Sequence, residues 1–145
     1  MILRELMNDI AYTIIQGDDN LEIKSIAWDS RNVEKQSLFI CVKGKTVDRH
    51  DYALIAIQAG AVALVVEHDI ENIPPEVTIV KVQDTKPAMA CIARSFYDNP
   101  TAKSNLIGVI GSSGKSSTAW ILAELLNSCG RKTGIIDNIA LQDTE

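Results

Sequence analysis

Ile107-Gly108-Val109-Ile110-Gly111-Ser112-Ser113-Gly114-Lys115-Ser116-Ser117 joins an apolar run to an amphipathic one, and its reading decides the fold class. The apolar run over residues 105–110 predicts a buried strand. Residues 115–128 predict a helix, with Trp120, Ile121, Leu125 and Leu126 on one face and Gly130 as its stop. A glycine-rich turn between strand and helix points successive backbone N–H groups at phosphate oxygens, and the helix dipole adds to that attraction. In such a turn Lys115 reaches the β- and γ-phosphates, and Ser116 offers a hydroxyl to Mg²⁺. The strict G-x-x-x-x-G-K-[ST] spacing would need glycine at position 109, where Val109 stands, so the motif is the shorter G-x-x-G-K-S. The plainer alternative is a Gly/Ser-rich turn with a solvated lysine; the agreement of strand, glycines, Lys-Ser and helix favours phosphate.

Upstream, hydrophobic periodicity alternates between strand and helix, which predicts an α/β unit. Leu3, Leu6, Met7 and Ile10 recur at helical spacing, and Gly17-Asp18-Asp19-Asn20 is a turn cluster. Strands are expected over residues 23–28, 37–42, 61–67 and 77–82. Helices are expected over 51–59, stopped by Gly60, and from about Pro87 to Tyr97, capped by Asp84 or Thr85. Asp98-Asn99-Pro100-Thr101 is polar, aperiodic and broken by proline. It divides the chain into residues 1–97, a linker over 98–105 and a second unit over 106–145, where a further strand is expected at 133–139.

Composition narrows the function. Of 145 residues, 14 are basic and 19 acidic, a net charge of −5 with no basic run, which argues against binding nucleic acid. The longest nearly apolar stretch, residues 59–66, falls far short of the roughly 20 residues a membrane span needs. Met1-Ile2-Leu3-Arg4-Glu5 does not read as a secretory signal, so a cytoplasmic location is expected. Cys41, Cys91 and Cys129 form no Cys-x-x-Cys and are read as reduced core residues. His50, between Asp48 and Asp51, has no histidine or cysteine at ligand spacing, so capping or surface solvation is expected in place of a metal.

Ala27-Trp28-Asp29-Ser30-Arg31 closes a predicted strand, and strand ends are where open α/β sheets bind ligands. Ser30 brings a hydroxyl, Arg31 a planar cation suited to phosphate, and Trp28 an aromatic face. Lys43-Gly44-Lys45-Thr46 is a second strand-end turn with basic side chains.

Taken in order, these pieces resemble the N-terminal part of the Mur ligase family, and within it the MurE type. The resemblance runs through Asp29-Ser30-Arg31, Ser37-Leu38-Phe39, Lys43-Gly44, Asp48-Arg49-His50-Asp51-Tyr52, Gly60-Ala61 and Phe96-Tyr97-Asp98-Asn99-Pro100 to the glycine loop. It implies a small UDP-binding α/β domain followed by the first β-loop-α-β unit of an ATP-binding central domain. It further implies that Ser30, with Trp28 and Arg31, and Lys45, Thr46 and Val47 contact a UDP-MurNAc-peptide. Gly111, Ser112, Ser113, Gly114, Lys115, Ser116 and Ser117 match the ATP loop, usually G-T-N-G-K-T-T, with Ser116 on Mg²⁺. The chemistry implied is addition of the third stem-peptide residue to UDP-MurNAc-L-Ala-D-Glu through an acyl phosphate, in peptidoglycan synthesis.

Four departures stand out. Ser112-Ser113 replace Thr-Asn, which removes an amide from the nucleotide site, while Ser116-Ser117 keep the hydroxyls of Thr-Thr. Arg49 stands where the family usually has glycine, and Asp137-Asn138 replace Gly-Thr. The family's enzymes are several times longer than 145 residues, so the chain is expected to be an N-terminal fragment, not competent alone. A stand-alone UDP-sugar or nucleotide-binding module and a MurF-type fragment are the alternatives.

Overall fold

Five strands carry the first unit in a computed structural model that describes residues 1–44, 47–137 and 141–142. They are β1 (Tyr12–Gln16), β2 (Ser25–Ala27), β3 (Ser37–Ile40), β4 (Ala61–Val66) and β5 (Thr78–Val82), in the spatial order β1-β5-β4-β3-β2. β2 through β5 run parallel, and β1 closes one edge antiparallel to β5. Chain contacts divide the molecule into Met1–Lys103 and Ser104–Glu145.

A central parallel strand is buried on both faces, so it reads as a continuous apolar run. Ser37–Ile40 is buried at every position. Leu38 and Ile40 face one core with Leu3, Leu6, Ala63, Val65, Val80 and Ile92; Phe39 and Cys41 face the other with Ala53, Ala56, Leu64, Val66 and Ile79. The first core is covered by α1 (Leu3–Leu6) and α3 (Thr85–Phe96), the second by α2 (Ala53–Ala59). Burying one such Leu, Ile or Phe contributes roughly 1.5–3 kcal/mol. The ladder slips by one residue where Ser37 pairs with Ala61 but Leu38 with Ala63. The slip keeps both neighbours of Val62 aligned with opposite cores.

Turn chemistry fixes the ends. Gly60 ends α2 at φ +122, and a Cβ there would lie 2.9 Å from the Cα of Lys35, so the turn into β4 accepts only glycine. Asp84 caps α3 by accepting from the Lys86 N–H at 2.9 Å. Asp19 ties the edge strand to the opening helix. It accepts from the Arg4 guanidinium at 2.7 and 3.1 Å and from the Tyr12 hydroxyl at 2.6 Å.

The second unit contains α4 (Lys115–Ser128) and a two-stranded pair, β6 (Ile135–Ile136) with β7 (Leu141–Gln142). Helix α4 ends in a Schellman turn: the Gly130 N–H bonds to Asn127 O and the Arg131 N–H to Leu126 O, both at 2.9 Å, with Gly130 at φ +77.

Several expectations change. β1 was not anticipated, because its side chains are mostly exposed and do not alternate. The strand expected over 105–110 does not form: it has no ladder partner among the described residues, and Leu106, Ile107 and Ile110 are exposed. The strand expected over 133–139 shrinks to Ile135–Ile136, its last two positions lying outside the described residues. On α4 only Ala123 is buried, with Ala119, Trp120, Leu122 and Leu126 half-buried, while Ile121 and Leu125 are exposed. Of the cysteines only Cys41 is core, where burial pushes its thiol up to about 12; Cys91 is half-buried and Cys129 exposed. All three are free thiols.

The Arg4 and Tyr12 hydrogen bonds hold the Asp19 carboxyl at about 2, below its ordinary 3.8. A depressed carboxylate stabilises the fold fully above its unfolded value and loses that contribution as pH falls through the folded one. The stability advantage of wild type over Asp19→Asn is therefore expected to be constant above about pH 4 and to shrink between 3.8 and about 2. Thermal melts of both proteins across that range check it.

Candidate functional site

Parallel strands leave all their carboxyl ends on one edge, and the loops that follow β2 and β3 meet there. After β2, Asp29 accepts from the Arg31 N–H at 3.0 Å and caps a 3₁₀ turn over Ser30–Asn32. After β3, Lys43 and Asp48 form an isolated antiparallel bridge. Asp48 accepts from the His50 N–H at 3.0 Å and starts a second 3₁₀ turn, Arg49–Tyr52, which runs into α2. Between these turns lies an open cleft of about 320 Å³, lined by Asp29, Ser30, Arg31, Phe39, Val47, Arg49 and Tyr52.

The cleft brings together Ser30, Arg31 and Val47 among the residues singled out from sequence. Trp28 is half exposed and does not line it, and Lys45 and Thr46 lie outside the described residues. Asp29, Phe39, Arg49 and Tyr52 were not anticipated as lining. The signal for the turns was present as aspartates at 29 and 48, each bonded to the backbone N–H two residues on. Arg49 sits in its 3₁₀ turn without positive φ, so an arginine is accommodated there without backbone strain.

Arg31 does not reach freely into the cleft. Its Nε and Nη2 donate to Oδ1 and Oδ2 of Asp29 at 3.0 and 2.6 Å, a bidentate pair. That pairing holds the Asp29 carboxyl well below the usual carboxylate range and raises Arg31.

His50 locks the second turn to the sheet. Its side chain is 3% exposed, its Nε2 accepts from the Glu67 N–H at 3.0 Å, and its Nδ1 lies 2.5 Å from Asp48 Oδ1. Because Nε2 must accept, the ring proton sits on Nδ1 and is donated to Asp48. Burial pushes Asp48 up, but bonds from the His50 N–H and ring outweigh it and hold the carboxyl low. Burial likewise pushes Glu67 up, and the Thr85 N–H (2.9 Å) and hydroxyl (2.7 Å) outweigh it. The expected surface solvation of His50 is thus corrected. The fold also supplies a neighbouring histidine that spacing did not show: His68 stacks on His50 with ring centroids 4.0 Å apart. Donor atoms of Asp48, His50 and His68 lie within 4.8 Å of one another, but both His50 nitrogens are already engaged.

In the second unit Gly114 is the N-cap of α4 at φ +75, where a Cβ would meet nothing within 4 Å. Its requirement for glycine is conformational, not steric. The Lys115 Nζ donates to the Gly111 carbonyl at 2.9 Å, folding over its own loop. Ser116 is half-buried, and Ser112, Ser113 and Ser117 are exposed.

A family model described as "Mur ligase family, catalytic domain" matches residues 22–97, which include every lining residue of the cleft. The chain belongs to the Mur ligase family. It is 36% identical over 140 residues to a UDP-N-acetylmuramoyl-L-alanyl-D-glutamate–2,6-diaminopimelate ligase of Clostridium perfringens. That match covers 97% of this chain and 29% of the relative, so the chain spans under a third of the relative's length. Among solved structures, MurF from Acinetobacter baumannii superposes at a TM-score of 0.65 with 26% identity, covering 88% of this chain and 27% of that one. MurF from Thermotoga maritima, solved with ADP, gives 0.57 and 31%, covering 72% and 23%.

His50→Ala strips the Glu67 N–H of its acceptor and Asp48 of its ring partner, leaving Asp48 only the backbone N–H of residue 50. It is expected to destabilise the first unit by about 1–3 kcal/mol in urea unfolding.

Proposed function

We propose that the chain is the N-terminal part of a MurE-type ligase. Its first unit holds the UDP-sugar end of UDP-MurNAc-L-Ala-D-Glu, and its second supplies the loop that holds ATP. The observation that carries this reading is the cleft at the carboxyl ends of β2 and β3, where a hydroxyl (Ser30), cations and an apolar wall (Phe39, Val47, Tyr52) converge. Such a mixture suits a nucleotide-sugar: flat apolar base, polar sugar, anionic phosphates. The domain division follows the same reading, with residues 1–97 for UDP-sugar binding, a linker over 98–105 and the start of an ATP-binding domain from 106. The 36% identity to the Clostridium perfringens ligase over 97% of this chain supports MurE over MurF, and the 2,6-diaminopimelate in that relative's name supports it as the amino acid added.

The nucleotide loop fits its proposed ligand. The Gly114 turn opens α4 with its first N–H groups unpaired within the helix, and Lys115 needs only to leave the Gly111 carbonyl to meet a phosphate. Ser116 has the hydroxyl that Mg²⁺ takes, and Ser112, Ser113 and Ser117 complete the loop. Mg²⁺ would supply neutralisation of phosphate charge. Lys115 stabilises charge on the transferring phosphoryl group as the substrate carboxylate becomes an acyl phosphate, which the incoming amine then attacks. A cytoplasmic location goes with these substrates; no described helix is long and apolar enough to cross a membrane.

Calorimetric titration with UDP-MurNAc-L-Ala-D-Glu is expected to show one site, weakened about two- to tenfold by Ser30→Ala. Unchanged affinity in that variant would place the ligand elsewhere. Fluorescent ADP with Mg²⁺ is expected to bind the wild-type chain and to lose at least about tenfold in affinity in Lys115→Ala. The 145 residues alone, given ATP, the UDP-MurNAc-dipeptide and diaminopimelate, are expected to release no ADP above background.

A further inference from the structure

The two guanidinium groups of the cleft are not equivalent. Arg31 is closed on Asp29 by two side-chain bonds, so that carboxylate and that cation cancel. Arg49 lines the same cleft, is half-buried, and has no hydrogen-bond or ion-pair partner for its guanidinium among the described residues. Its backbone N–H is spent on the Val42 carbonyl at 3.3 Å. Asp51, in the same turn, is exposed to solvent, and the carboxylates of Asp48 and Glu67 are committed elsewhere. Asp48 accepts from the His50 N–H and ring, and Glu67 accepts from Thr85. Arg49 is nonetheless close enough to the cleft for its charge to act on Asp29, after the stronger effect of Arg31.

A partly desolvated cation without an anion is unfavourable in the free protein, and an anionic ligand relieves it. The planar fork of an arginine matches two oxygens of a phosphate, and the turn that carries Arg49 is held rigid by the Asp48 cap and the His50 clamp. We propose that Arg49 is the phosphate-binding residue of the cleft, donating to non-bridging oxygens of a nucleoside diphosphate. The inference rests on the sugar-nucleotide reading and deepens it, because it moves the main phosphate contact from Arg31 to a position where the family usually has glycine. Arg31 then serves chiefly to neutralise Asp29, which would otherwise repel the ligand.

The test is calorimetric titration of the 145-residue chain with UDP at two salt concentrations, for wild type, Arg49→Ala, Arg49→Lys and Arg49→Gln, with thermal melts as the folding control. At low salt Arg49→Ala and Arg49→Gln are expected to weaken UDP roughly ten- to a hundredfold, with Arg49→Lys intermediate. The neutral variants should also show a shallower dependence of affinity on salt, as loss of a phosphate contact requires. Undiminished UDP affinity in Arg49→Ala overturns the assignment while leaving the sugar-nucleotide reading intact. So does a loss with an unchanged salt dependence, which marks a structural role. If Arg49→Ala fails to fold, Arg49→Gln and Arg49→Lys decide by the same two readouts. Wild-type protein that binds neither UDP nor the UDP-MurNAc-dipeptide overturns the reading itself and this inference with it.

Discussion

Everything proposed for the first unit depends on the parallel pairing of β2, β3 and β4. Parallel strands in sequential order must end on the same edge, so the turns after β2 and β3 become neighbours although about 20 residues of chain separate Ser30 from Arg49. Hydrophobic burial sets that pairing, because a slip of one residue in β3 would exchange Leu38 and Ile40 with Phe39 and Cys41 between the two cores. The edge is then made rigid by polar bonds. Through His50 the Arg49–Tyr52 turn is attached to the end of β4, and through Glu67 the end of β4 is attached to Thr85 at the start of α3. A cleft between two capped turns can thus keep its shape before a ligand arrives, which lowers the ordering cost of binding.

The acidic balance of the chain gives its few local cations their meaning. A protein of net charge −5 does not attract a diphosphate at long range, so affinity has to come from groups at the site. Pairing Arg31 with Asp29 removes a repulsive charge and fixes the wall of the cleft; Arg49 supplies the unbalanced one. In the second unit the groups proposed for the same task are the backbone N–H groups at the start of α4 and Lys115, held on a carbonyl of its own loop. On the proposed reading the two units would meet anionic ligands by different means, one with side chains on turns and one with a helix terminus.

Sequence periodicity made most of the fold legible where burial is two-sided. β3, β4, β5 and α3 stand within a few residues of their expected spans, because apolar runs and caps coincide there. α4 matches over its whole length, fixed by Gly114 before it and Gly130 after it. β1 is not legible because an exposed edge strand shows no alternation, and the apolar character of residues 105–110 predicts a strand but cannot say whether a neighbour is present to pair with them. For the cleft, Ser30, Arg31 and Val47 were legible from strand ends and resemblance, whereas Arg49 and Tyr52 become neighbours of Ser30 only once β2 and β3 are paired. His68 beside His50 is the same kind of case, a contact made by β3 and β4 lying side by side.

The most direct test of the account is where the sugar-nucleotide sits. A crystal structure of the chain with UDP-MurNAc-L-Ala-D-Glu is predicted to show the diphosphate in the cleft between the Ser30–Asn32 and Arg49–Tyr52 turns, with Arg31 still on Asp29. Ligand density at any other part of the first unit, with that cleft left empty, would contradict it.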